Sequence, residues 1–165
     1  MTQSWKLWML RRAGAFVVAA VTMVLFGSAA HSYFVQQAWS RAAGHAYGTT
    51  PVSIPFADRI SWAAHDLFGM FLPYCFVTSI ALFVAFLIAG GLARITGFRV
   101  IVFGVAGGSS LLVLFTIMRN LLGTVGIFGA RGPAGLAAQM AVGAVAGVLF
   151  ARLTRPPNVP LPPTT

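Results

Sequence analysis

The sequence predicts an all-α, polytopic membrane protein: a bundle of four transmembrane helices with both termini on the cytoplasmic side. Three observations predict it. Asp, Glu, Lys and Arg together make up 8% of the 165 residues, against roughly 25% in a soluble domain, so the chain has little with which to cover a water-facing surface. Four apolar runs, at 13–34, 61–93, 100–118 and 133–151, match the ~20 residues that a helix needs to cross the hydrocarbon of a bilayer. The basic residues collect at the ends of those runs and are shared unequally between the two sides.

The first run follows Lys6, Arg11 and Arg12. Ser28-Ala29-Ala30 behind it also has the form of a signal-peptidase site, and cleavage there would remove residues 1–30 and leave three spans. The run exceeds the usual ~7–15 residues of a signal-peptide core, which favours retention as a span. From 35 to 60 the composition turns to Gln, Ser, Gly, Thr and Pro, punctuated by Gly44, Gly48, Pro51 and Pro55. This stretch is expected to be the long periplasmic connection. Within it, Gln36 through Ala43 can extend the first helix past the membrane surface, with Gly44 as a left-handed stop.

The second run, 61–93, is longer than a perpendicular span requires, so tilt or a bend must absorb the excess. Pro73 supplies a cause for a bend, because it has no N–H for the carbonyl of Gly69 and its ring crowds that turn. Arg94 and Arg99 flank a short turn containing Thr96 and Gly97, and the third run follows at 100–118. Residues 119–132 form a glycine-punctuated connection. Gly132-Pro133 marks the start of the fourth run, proline being suited to a first helical turn. Residues 133–151 then end at Arg152 and Arg155, and five prolines within 156–165 predict a disordered cytoplasmic tail.

Orientation follows from counting. With the N-terminus in the cytoplasm, Lys6, Arg11, Arg12, Arg94, Arg99, Arg152 and Arg155 lie inside, while Arg41, Arg59, Arg119 and Arg131 lie outside. Seven against four favours N-in and C-in, in the cytoplasmic (inner) membrane of a bacterium. The formal charge of +9 is then topological, with basic groups seated at lipid headgroups, and nucleic acid is not an expected partner.

In lipid, helices associate through small residues that let backbones approach. Gly135, Gln139, Gly143 and Gly147 recur every four residues on the fourth run, and Gly104 and Gly108 share that spacing on the third. These stripes serve packing within the bundle, or self-association and contact with other membrane subunits. Cys75 stands alone, with no partner for a disulfide and no metal or redox spacing.

One candidate site emerges near the periplasmic face. His31, His65, Asp66, Arg119 and Arg131 fall at similar depth on all four helices, close to the kink at Gly69 and Pro73. Ionisable groups at membrane depth, here near the interface, point to function or to helix anchoring, the latter as Asp66 paired with Arg119 or Arg131. Arginines and a histidine beside an apolar cleft suit an anionic or quinone-like ligand. Two facing histidines, His31 and His65, would suit haem. No short metal-binding motif is present, so neither a metal nor a firmly implied cofactor is expected. Ser109 and Ser110 sit in the opposite half from every histidine, which disfavours an activated nucleophile. The expected function is that of a non-enzymatic accessory or structural subunit, or of a bundle that binds a small ligand or lipid. The alternatives are a small transporter or ion-conducting oligomer and a redox protein, and the few polar residues of the inner half argue against a through-membrane path.

Overall fold

The computed structural model describes residues 2–125 and 127–155, so the tail expected at 156–165 lies outside the described residues. The elements are α1 (Thr2–Ala46), α2 (Phe56–Thr96), α3 (Arg99–Leu122), a 3₁₀ turn (Phe128–Ala130) and α4 (Pro133–Leu153). All four long helices are apolar and long enough to cross a membrane. Phe68, Leu72, Phe76, Ile88 and Ile95 are exposed on the surface of α2, as suits a protein whose solvent is hydrocarbon.

Contacts run around a ring, α1 to α2 to α3 to α4 and back to α1. Neighbours run antiparallel: Phe16 meets Phe83 at one end of the α1–α2 pair and Trp39 meets Trp62 at the other. Likewise Arg11 reaches Leu153 of α4, whereas His31 reaches Gly129 just before that helix begins. The core is aliphatic on α1 (Ala15, Ala19, Met23, Val24), and Phe86, Phe103 and Phe150 of the other three helices form an aromatic cluster with centroids 4.7–5.5 Å apart.

The helices are longer than the apolar runs inside them. The connection expected at 35–60 is confined to 47–55, because α1 continues to Ala46 and α2 begins at Phe56. The segment between Phe34 and Gly44 contains neither proline nor glycine, so polarity alone does not end the helix. Gly48, with φ 65°, takes the left-handed conformation expected of Gly44. Gly44 is needed for a different reason: a Cβ there would meet the Thr50 carbonyl oxygen at 2.6 Å. The loop folds back along α1, with Val52 N–H donating to Ser40 O and Ser40 Oγ donating to Val52 O. Gly97 and Gly123 close α2 and α3, at opposite ends of the bundle, in left-handed conformations. The helix α2 continues through Pro73 without interruption.

The closest approach in the bundle is between α3 and α4. A Cβ on Gly107 would collide with the Gly143 carbonyl, one on Gly143 with the Gly107 carbonyl, and one on Gly147 with the Phe103 carbonyl. Gly104 and Gly108 flank this contact, against Val148 and the Met140 carbonyl. Gly107, which the four-residue spacing passes over, sits at its centre. Replacement of Gly107 by Leu is expected to cost at least ~1–3 kcal/mol, the range for overpacking a fitted interface. Gly91→Leu, at a position with nothing within 4 Å, is the control. Thermal unfolding in detergent should drop for the first variant and stay level or rise for the second.

Candidate functional site

The 3₁₀ turn is wedged between α1 and the first turn of α4, and two glycines make this possible. A Cβ on Gly135 would strike the Gly129 carbonyl, and one on Gly129 would lie 2.6 Å from the His31 Cα. The wedge presents the Gly129 N–H to the His31 Nδ1 at 3.1 Å. A ring nitrogen that accepts a hydrogen bond carries no proton, so the neutral imidazole holds its proton on Nε2 and keeps that N–H as a donor.

His31 is 7% exposed. It lines a cleft of about 460 Å³ with Pro73, Tyr74, Thr78, Leu114, Met118 and Ile127. A second, almost wholly apolar groove of about 480 Å³ runs on between α2 and α3 and shares Val77 and Leu114 with the first. The cleft's polar lining is thus His31, Tyr74 and Thr78, and the adjoining groove continues it along apolar side chains.

One turn from His31 lies a buried polar network that spans three helices. The Tyr74 hydroxyl donates to Gln139 Oε1 at 2.6 Å, and Gln139 Nε2 donates to the Gly27 carbonyl at 2.9 Å. Gly27 has no side chain because the Tyr74 hydroxyl occupies the space a Cβ would take. Gln139 is 1% exposed, and both ends of its amide are used. The neighbouring Ser28 Oγ is buried without a hydrogen bond among the described residues. Higher up, Gln36 Nε2 donates to Ser32 Oγ and to the Arg59 carbonyl, tying α1 to the start of α2.

Of the five residues expected to converge, His31 is the one built into the cleft. Asp66 is half-buried on α2. His65 is exposed on the surface of α2, and Arg119 is exposed on the last turn of α3. Arg131 donates from Nε to the Val125 carbonyl, bracing the connection before α4. Gly69 lies on an exposed surface of α2 with nothing within 4 Å, whereas Pro73 borders the cleft. Tyr74, Ser28 and Gln36 were not legible as site residues. An aromatic in an apolar run reads as filler, and only the amide of Gln139 signalled that some helix must supply a partner at that depth.

Among the described residues, no group of three or more His, Cys, Asp or Glu side chains is placed to hold a metal ion. No family model matches the chain, and comparison with curated proteins and with solved structures likewise finds no match. Function must therefore be read from the geometry.

The Tyr74–Gln139–Gly27 network makes a specific energetic prediction. Tyr74→Phe leaves a buried amide oxygen without its donor and is expected to cost ~1–3 kcal/mol. Adding Gln139→Leu removes the orphaned amide, so the double variant should be less destabilised than the sum of the single ones. Thermal unfolding of all three variants in one detergent measures this coupling, and strict additivity would show the two side chains to be independent.

Proposed function

We propose that the chain is a non-catalytic, multi-pass protein of a bacterial cytoplasmic membrane, N-in and C-in, that binds a small lipid-soluble ligand in the His31 cleft. The observation that carries this reading is an imidazole that lines an apolar cleft, with Nδ1 fixed by the Gly129 N–H and the other nitrogen left as a donor. Pockets of ~300–1,000 Å³, lined by apolar side chains with a few placed polar groups, are the usual form of small-ligand sites. The cleft fits that description, and its single donor suits a carbonyl-type acceptor on an apolar body. The seven-to-four bias of basic residues supports the orientation. Retention of residues 1–30 is favoured because Ala15, Ala19, Met23 and Val24 fill the core.

Orientation is checked by reporter fusions after Gly48 and Gly123. Alkaline phosphatase should be active at both positions, and green fluorescent protein fused to the C-terminus should fluoresce. Inactive phosphatase at both positions would reverse the topology.

Binding is checked with a short-chain alkyl benzoquinone as probe, followed by quenching of tryptophan fluorescence. The wild type should show saturable binding. Loss of one hydrogen bond in His31→Phe should weaken it roughly ten-fold, as expected for ~1–1.5 kcal/mol, and Leu114→Trp, which fills the cleft, should abolish it. Non-saturable quenching, identical in all three proteins, would refute the site.

A further inference from the structure

The apolar groove between α2 and α3 follows a definite course. It is lined on α2 from Val77 to Ile88 and on α3 from Ala106 to Ile117. The two helices run antiparallel there: Phe86 meets Phe103 near one end, and Val77 and Leu114 border the His31 cleft at the other. An advance of ~11 residues at ~1.5 Å each makes the groove ~16 Å long, about half the thickness of a hydrocarbon core. One end therefore opens into the cleft, and the other points away from His31 along both helices.

Large rings keep the groove from closing. Phe86 and Phe103 sit edge to face between the two helices, with centroids 5.5 Å apart. Toward lipid the lining is small: Ala81 and Ala85 on α2, Ala106 and Ser109 on α3. Such residues normally let membrane helices touch, yet here they face open space. Ser109 Oγ donates to Ala106 O and Ser110 Oγ to Gly107 O, so neither hydroxyl proton is offered to the groove. Among the described residues no charged or amide side chain lines it. Whatever lies there needs no polar atom along its length, and its polar partner waits at the cleft end.

Size selects the occupant. A volume of about 480 Å³ over that length gives a mean cross-section of ~30 Å². A helix ~10 Å across fills ~80 Å², so a helix of a second copy is too thick to seat inside, whereas one hydrocarbon chain fits. We infer that the groove holds the apolar tail of the ligand whose head lies at His31, a tail of roughly a dozen extended carbons running from Val77 to Ile88. This occupant presupposes the His31 reading and narrows it to a single-tailed amphiphile with a carbonyl head. A bilayer phospholipid fits less well, because its chains hang from a phosphate and neither Lys nor Arg lines the cleft or the groove. Lipid and groove are equally apolar, so the tail contributes fit and tethering of the head rather than hydrophobic transfer.

Two probes separate tail from head: an ethyl benzoquinone, and a decyl benzoquinone whose chain ends in a photoactivatable diazirine. With the full chain in phosphatidylcholine nanodiscs, irradiation should attach the decyl probe at the far end of the groove, at Ala85, Ile88 or Ala106, as mapped by mass spectrometry. Ala85→Trp and Ser109→Leu narrow the groove from opposite walls without lining the cleft. By isothermal titration calorimetry each should weaken the decyl probe at least five-fold and leave the ethyl probe unchanged; comparison at equal tail length cancels partitioning into the disc. Attachment scattered over the lipid-facing residues of all four helices would overturn the inference, as would equal effects of the variants on both probes. Suppression of the attachment by added phosphatidylglycerol would give the groove to bilayer lipid, and dimers dissolved by Ala85→Trp would give it to a second copy. If any of these is found while the ethyl probe still binds saturably, the tail falls and the His31 reading stands. If neither probe binds saturably, both fall.

Discussion

A helix surrounded by hydrocarbon gains little by burying leucine against leucine, because lipid tails offer the same environment. What remains is close fit, and in this chain the fit is made along α4. Gly143 and Gly147 bring its backbone against Gly107 and Phe103 of α3, while Gly135 admits the 3₁₀ turn at its other end. The helix carries few large side chains on these contacts, so its position is set by backbone against backbone. The cleft depends on that position. If α4 moved outward by the width of a methyl group, the Gly129 N–H would leave His31, and the imidazole would lose what fixes its tautomer.

The two ends of the molecule use polarity differently. At the His31 end, side chains and backbone groups pair across helices and exclude charge from the interior: Gln36 with Ser32 and Arg59, Ser40 with Val52, Arg131 with Val125. At the other end full positive charges accumulate, and helix C-termini neutralise only part of them. Such a division suits a bundle whose two ends meet different surroundings.

Much of the architecture was legible in the sequence because the bilayer imposes length and composition together. Four apolar runs gave four helices, and glycine spacing located the face of α4 that meets its neighbours. The failures have physical causes. Polar residues at 35–46 suggested a loop, but a helix leaving the membrane needs only residues compatible with helical backbone, and these are. Gly107 was passed over because a strict four-residue period follows one ridge of a helix, whereas a close crossing uses residues three apart as well. The site was the least legible part. Equal depth along different helices does not imply convergence, since rotation about each axis decides which side chains meet. That rotation turned His65 and Arg119 outward and His31 inward.

The rotation itself has an identifiable determinant in Gln139. An apolar residue at that position would pack against Gly27 over a range of angles, because dispersion contacts are not directional. An amide with both ends engaged is directional: its nitrogen must meet the Gly27 carbonyl and its oxygen the Tyr74 hydroxyl. In a surrounding that offers no water, leaving either end unpaired costs more than the bond contributes when made. Rotations of α4 that separate these groups are therefore penalised, and the angle that remains also points Gly135 at the 3₁₀ turn and Gly143 at Gly107. One buried amide thereby couples the register of three helices to the placement of Gly129 against His31.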